Sequence, residues 1–195
     1  MNIGLFFGSF NPIHLGHTGL ATYILQHTDL EQIWLVISPN NPLKEPGSLL
    51  PEEIRLQLAE MALADIEGII PCDREFSLPK PNYTVNTLRA LSAEHPQDRF
   101  TLIIGSDNMA LFGRWREHEY ILEHYPIIVY PRQGDDIAAL QKRFPQMQVI
   151  DAPLLPVSAT DIRRKLREND DVSQWLHPEV ANFLQKNFKR FGNFK

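Results

Sequence analysis

Six short runs of β-branched and large apolar residues recur along this chain, and between them lie segments whose apolar residues repeat at helical spacing. The runs are Ile3 to Phe7, Ile33 to Ser38, Ile69 to Cys72, Phe100 to Ile104, Ile127 to Tyr130 and Val149 to Ile150, each of strand length. Helical patterns cover Gly16 to His27, Pro51 to Leu63, Thr84 to His95, Ile137 to Phe144, Thr160 to Glu168 and Pro178 to Phe188. A strand that is to lie parallel to its predecessor needs a crossover, usually a helix, so the alternation predicts an α/β fold with a mainly parallel sheet. The runs are nearly continuous rather than alternating, which means that helices cover both faces and the sheet is doubly wound.

Ligands of such Rossmann-like folds bind beyond the C-terminal strand ends, which gathers the loops after Phe7, Ser38 and Ile104 around one crevice. Strand-like patterning stops near Pro153. The expectation is a single domain over 1–195 in which 153–195 forms a small C-terminal helical segment. At 195 residues, with 43% hydrophobic and 22% charged residues, the chain can bury a substantial core.

A net charge of -5 argues against broad binding to nucleic acid or to an anionic membrane, since both need a dominant basic surface. Cys72 is the only cysteine, which removes intrachain disulfides and cysteine-rich zinc sites and fits a reducing compartment. The segment from Met1 to Phe7 lacks the basic flank and long apolar core of a signal peptide, and no later run suits a membrane span. The expectation is a cytoplasmic protein; the oligomeric state stays open.

The first chemical constellation is Gly8-Ser9-Phe10-Asn11-Pro12-Ile13-His14-Leu15-Gly16-His17, directly after the first strand. Gly8 and Ser9 allow close backbone approach to a ligand, and Pro12 interrupts an immediate helix. His14 and His17 are three apart at a helix start, where one turn would put both imidazoles on one face beside free backbone amides. Such a pair can bind phosphate oxygens, and a nearby anion favours the protonated imidazole. The same spacing also suits two histidines that only pack or cap a turn. Zinc is a poor fit because no third ligand lies at a familiar spacing. A dehydrogenase is a poor fit because no Gly-x-Gly-x-x-Gly follows the strand.

The second constellation is Ser158-Ala159-Thr160-Asp161-Ile162-Arg163, which opens a helix with Ser158 and Asp161 in a capping-box arrangement. Free amides at that helix start, the Ser158 and Thr160 hydroxyls and the Arg163 guanidinium can surround phosphate oxygens, Arg163 being the preferred triphosphate contact. An ordinary capped, basic, solvated helix has the same local sequence. Lys44, after the second strand, offers another phosphate-directed ammonium.

Together the two constellations resemble the His-x-Gly-His and Ser-x-Thr-x-x-Arg elements of the nucleotidylyltransferase superfamily. Within it the chain is similar to the bacterial nicotinate-nucleotide adenylyltransferase family. Further likeness lies in Pro81-Asn82-Tyr83-Thr84-Val85-Asn86-Thr87-Leu88, in Ile104-Gly105-Ser106-Asp107 and in Trp115, and the likeness runs from Ile3 to about Leu166. The resemblance implies an ATP site made of Gly8, Ser9, Phe10, His14, His17, Gly105, Ser158, Thr160 and Arg163. It implies a mononucleotide site made of Lys44, Tyr83, Thr84, Asp107 and Trp115, with Trp115 beside the pyridine ring and Asp107 near a ribose. Trp115 is equally suited to a core position beside Phe112, and Asp107 to capping the segment that follows it. Two departures stand out: Asn11 occupies a position where many relatives have Asp, and Phe7 one where many have Gly.

The chemistry implied is transfer of AMP from ATP to a pyridine mononucleotide, with His14, His17, Lys44 and Arg163 stabilising phosphate charge. Magnesium is expected to enter with ATP, held by phosphates and water, and no protein metal ligand is assigned. Two other readings remain: a relative using nicotinamide mononucleotide or phosphopantetheine as acceptor, and a non-catalytic nucleotide-binding regulator. A class I aminoacyl-tRNA synthetase shares the His-x-Gly-His element, but this acidic chain shows no Lys-Met-Ser-Lys-like loop.

Overall fold

Side chains alternate across a strand, so a strand buried on both faces must feed two cores, and every central strand here does so. The structure, a computed structural model, describes residues 1–39 and 49–191. Its strands are β1 (Asn2–Gly8), β2 (Gln32–Ile37), β3 (Ile69–Cys72), β4 (Arg99–Gly105), β5 (Ile127–Tyr130) and β6 (Gln148–Val149). They form one sheet in the order β3-β2-β1-β4-β5-β6, and each adjacent pair is parallel.

The helices are α1 (Leu15–Gln26), α2 (Glu52–Leu63), α3 (Thr84–Glu94), α4 (Ser106–Leu111), α5 (His118–His124), α6 (Ile137–Arg143), α7 (Ala159–Glu168) and α8 (Pro178–Asn187). On one face Phe6, Ile33, Leu35, Ile37, Ile103 and Ile128 meet apolar residues of α1, α2, α7 and α8. On the other, Ile3, Leu5, Val36, Leu102, Ile104 and Val129 meet α3, α4, α5 and α6. The helices after Pro153 thus pack into the same core as α1 and α2, through Ile162, Leu166, Val180 and Leu184.

The doubly wound parallel sheet expected from the sequence is the one observed. Two helices, α4 and α5, of six and seven residues, were not among the expected ones. Strand β6 lies at 148–149, one residue earlier than its apolar run.

The chain begins at the centre of the sheet, winds out to β3, returns to lay β4 beside β1, and then winds out to β6. Loops leaving β1 and β4 diverge to opposite faces, and a crevice opens between them. Arg55, in α2, holds one side of it. Its side chain is fully buried, and its guanidinium donates to four backbone carbonyls: Ser9 at 2.6 Å, Ser38 at 2.8 Å, and Leu50 and Pro39 at 3.0 Å. Burial pulls its pKa down to about 10, against the opposing pull of Glu52 and Glu53, so the group stays charged at neutral pH. It joins the loop after β1 to the loop after β2.

Removing that guanidinium would leave four backbone carbonyls without this donor, those of Leu50 and Pro39 in buried contacts and those of Ser9 and Ser38 in partly buried ones. Arg55→Met is expected to lower unfolding free energy by about 3 kcal/mol or more, and Arg55→Lys to recover only part, since an ammonium cannot span the fork. Urea midpoints measure this; a midpoint unchanged in Arg55→Met would contradict the role.

Candidate active site

Between β1 and α1 the chain turns through Phe10, whose φ of 43° is left-handed, a conformation costly for a side chain of that size. Phe10 is held there by burial, with edge contacts to Phe6 at 5.8 Å and to His17 at 5.0 Å between ring centroids. The turn delivers His14 to the N-cap of α1.

His14 is not helical, as the one-face reading of the histidine pair requires: its φ and ψ are −146° and 169°. The two histidines meet as cap and third helical residue instead. The His14 backbone N–H donates to His17 Nδ1 at 3.3 Å, and the imidazoles stack at 3.7 Å with an interplanar angle of 23°. With Nδ1 accepting, a neutral His17 carries its proton on Nε2. Gly16 makes the pair possible. A Cβ added there would lie 2.9 Å from the Val157 side chain and 3.0 Å from the His14 ring.

His14 is 7% exposed, and its Nδ1 is buried without a hydrogen-bond partner. Burial, reinforced by the positive charge of Arg132, pushes its pKa down to about 4. In the unliganded protein His14 is therefore neutral at pH 7.

The second constellation folds as its sequence predicts. Ser158 caps α7, accepting from the Asp161 N–H at 3.1 Å and donating to the Asp161 carboxylate at 2.6 Å. Arg163 is 9% exposed; it donates to the Asn11 carbonyl at 2.8 Å and to the Thr160 hydroxyl at 3.3 Å, while its Nε is buried and unpaired. Burial, with Arg167 nearby, lowers its pKa. The side chain thus ties α7 to the loop that precedes His14. Asn11 is the other half of that tie: it is buried, and its Oδ1 accepts from the Leu50 N–H at 2.9 Å.

A cleft of about 640 Å³ lies at the crossover between β1 and β4. Gly8, Ser9, Phe10 and His17 line one side, Tyr83, Thr84 and Trp115 the other, and Gly105 lies at the end of β4 between them. Phe7 is on the wall as well. His14, Asp107, Ser158, Thr160 and Arg163 are not among the residues that line it, and α7 reaches its wall through Ala159. Asp107 is half exposed, 3.8 Å from Arg132. Lys44 lies outside the described residues.

Sequence reasoning missed several residues on the wall, among them Glu75, Arg114, Arg116, Tyr130 and Arg132. Glu75, in the short 3₁₀ turn 74–76, is buried, accepts from the Thr87 hydroxyl at 2.8 Å, and accepts from Asn82 Nδ2 at 2.9 Å through its backbone carbonyl. Burial raises its pKa, against the opposing effect of hydrogen bonds from the Thr87 and Ser38 side chains. Arg132, just past β5, had a legible signal in its place at a C-terminal strand end.

On the Tyr83 side the guanidinium of Arg116 lies 4.9 Å from the tyrosine ring centroid, and Trp115 packs on Phe112 at 5.2 Å. The cleft therefore joins an aromatic, basic wall to a helix N-terminus carrying two imidazoles. It suits a flat ring at one end and phosphate oxygens at the other.

The model of the cytidylyltransferase-like family matches residues 5–165. Among similar curated proteins, one from Flavobacterium johnsoniae named "Probable nicotinate-nucleotide adenylyltransferase" is 43% identical over 188 residues, covering 96% of this chain and 97% of its own. One of the same name from Bacteroides fragilis is 43% identical over 177 residues, 91% and 88% of the two chains. Among solved structures, the nicotinic acid mononucleotide adenylyltransferase of Plasmodium falciparum complexed with NaAD superposes with a TM-score of 0.82. It is 24% identical and covers 100% of this chain and 99% of its own, a likeness of fold.

The depressed pKa of His14 has a consequence for stability. An unfolded chain protonates His14 near 6.5 and the folded one only near 4, so between those values the unfolded state holds more protons and stability falls with falling pH. The loss is expected to approach about 3 kcal/mol near pH 4. Urea midpoints across that window should fall less steeply for His14→Gln than for the unaltered protein; identical slopes would refute it.

Proposed function

Since the chain belongs to the cytidylyltransferase-like family, we propose that it transfers AMP from ATP to nicotinate mononucleotide, giving nicotinate adenine dinucleotide and pyrophosphate. The observation that carries this reading is the stacked His14–His17 pair at the N-terminus of α1, opening onto a two-sided cleft at the sheet crossover. The relatives' shared name and near-complete coverage supply the acceptor. The place of the reaction is NAD biosynthesis, in the cytoplasm. No described helix is long and apolar enough to cross a membrane.

In the reaction an oxygen of the mononucleotide's 5′-phosphate attacks the α-phosphorus of ATP in line. The bond from the α-phosphorus to the bridging oxygen breaks, and pyrophosphate leaves with its electron pair. The nucleophile is already an anion, so no strong general base is needed, and the protein contributes alignment and charge stabilisation. His17, on the cleft wall with its Nε2 carrying the proton, is suited to donate to an α-phosphate oxygen. His14 backs it, and phosphate charge draws His14 toward its protonated form.

Amides at the starts of α1 and α7 add partial positive charge, Arg163 holds the two starts together, and Lys44 would supply an ammonium. The mononucleotide's pyridine ring is assigned to Tyr83, Thr84 and Trp115. Among the described residues no three His, Cys, Asp or Glu side chains gather as a metal cage. In this reading the divalent cation is magnesium, which enters as part of the ATP complex, bound by phosphate oxygens and water.

A coupled pyrophosphate assay with ATP and three acceptors tests the reading. Nicotinate mononucleotide is expected to give the highest kcat/KM, ahead of nicotinamide mononucleotide and phosphopantetheine. Release with phosphopantetheine alone, or with none of them, would overturn it. His17→Ala is expected to lower kcat about 100-fold with the fold intact, and an unchanged kcat removes His17 from the reaction. Trp115→Ala should raise the KM for the mononucleotide about tenfold while leaving that for ATP in place; a change in the ATP constant alone would misplace the ring.

A further inference from the structure

Helix α3 begins at the cleft without a cap of its own: Tyr83 is its N-cap residue, and that side chain makes no capping hydrogen bond. Tyr83 and Thr84 nevertheless form part of the cleft wall. The 3₁₀ turn 74–76 supplies the missing hold, because Glu75 grips the chain on both sides of Tyr83. Its backbone carbonyl accepts from Asn82 Nδ2 at 2.9 Å, one residue before the cap, and its Oε1 accepts from the Thr87 hydroxyl at 2.8 Å, one turn into the helix. Thr87 is fully buried.

Glu75 is 3% exposed although it lines the cleft, and the Ser38 side chain hydrogen-bonds to the same carboxyl. Ser38 is itself fixed, its N–H donating to the Gly8 carbonyl at 2.9 Å and its carbonyl accepting from Arg55 at 2.8 Å. One carboxyl thus ties the loop after β2 to the start of α3. Asn82 shows how firmly that start is set: with Nδ2 given to the Glu75 carbonyl, its Oδ1 is buried without a partner. An unpaired buried acceptor is unfavourable, and it persists where the surroundings dictate the course of its segment.

Resting on the adenylyl-transfer reading, we propose that Glu75 is a positioning residue for the acceptor, setting through Asn82 and Thr87 where the start of α3 presents Tyr83 and Thr84 to the mononucleotide. It does so as a hydrogen-bond acceptor and not as a charge. Thr87 needs only an oxygen to donate to, whereas a full negative charge on this wall would repel an acceptor that carries a phosphate and a pyridine carboxylate. Burial, which holds the carboxyl toward its neutral form, removes that conflict. The two grips act on α3, while the imidazoles belong to α1, so loss of a grip falls on the mononucleotide and spares ATP.

An amide separates an acceptor from a charge. Glu75→Gln keeps an oxygen for Thr87 and removes the ionisable group, Glu75→Ala removes both, and Thr87→Val removes the donor at similar volume. The KM values for nicotinate mononucleotide and for ATP, kcat, urea midpoints, and nicotinate mononucleotide binding by calorimetry are measured for the unaltered protein and the three variants. Glu75→Ala and Thr87→Val are expected to raise the mononucleotide KM about five- to tenfold with the ATP KM unmoved, and Glu75→Gln to stay within about twofold of the unaltered protein. Thr87→Val carries the test should Glu75→Ala fail to fold. Equal rises in both KM values, a lowered urea midpoint with neither KM moved, or a Glu75→Gln protein as impaired as Thr87→Val overturns the proposal. Unaltered protein that binds nicotinate mononucleotide yet releases no pyrophosphate from ATP overturns the adenylyl-transfer reading instead, and the calorimetry then decides Glu75; failure to bind it overturns both.

Discussion

Four backbone carbonyls from three loop segments end on the guanidinium of Arg55, and the open side of the cleft takes its shape from that contact. A loop carbonyl turned away from water needs a donor, and one Arg satisfies four of them with a group that stays charged at neutral pH. Fixing Ser9 fixes the entry to the Phe10 turn, and the turn fixes His14. A residue in α2 thus helps to set the position of the first imidazole through the backbone of the loop before it.

The same economy appears on the other side of the histidines. Arg163 reaches across 152 positions of sequence to the Asn11 carbonyl, so the start of α7 and the loop before α1 are joined directly by a side chain-to-backbone hydrogen bond. The loop between β1 and α1 is held from both directions, by Arg55 at Ser9 and by Arg163 at Asn11. A left-handed Phe10 and a buried imidazole with an unpaired Nδ1 are each unfavourable locally, and they persist because the surroundings over-determine them. Phosphate binding would turn part of that unfavourable arrangement to use.

The sheet was legible because its strands are continuous apolar runs, and burial on both faces leaves no other way to arrange them. The starts of α1 and α7 were legible because a helix start has a chemical signature, and Ser158 with Asp161 carries it in full. What each cation touches was not legible. In Glu52-Glu53-Ile54-Arg55, arginine looks like one more solvated charge on a helix, and only the tertiary course of three loops turns it inward. Arg163 was readable as a cation at the right helix start, but its bond to the Asn11 carbonyl depends on a loop 152 residues away. The stacking of His14 on His17 was missed for a smaller reason: helical spacing presumes both residues are helical, and His14 is extended.

Charge placement completes the logic of an acidic chain that handles polyanions. A net charge of -5 keeps the surface as a whole unattractive to nucleic acid, so positive potential has to be local. The cleft supplies it with Arg114, Arg116 and Arg132 on the wall and two helix starts beside it. The one buried carboxyl on that wall, Glu75, is held toward its neutral form by burial and engaged by Thr87, so its charge opposes the field least where phosphate must enter. Asp107, a half-exposed carboxylate 3.8 Å from Arg132 at the end of β4, offsets part of that positive charge, so the basic character of the cleft is weaker there than along the Arg114 and Arg116 wall.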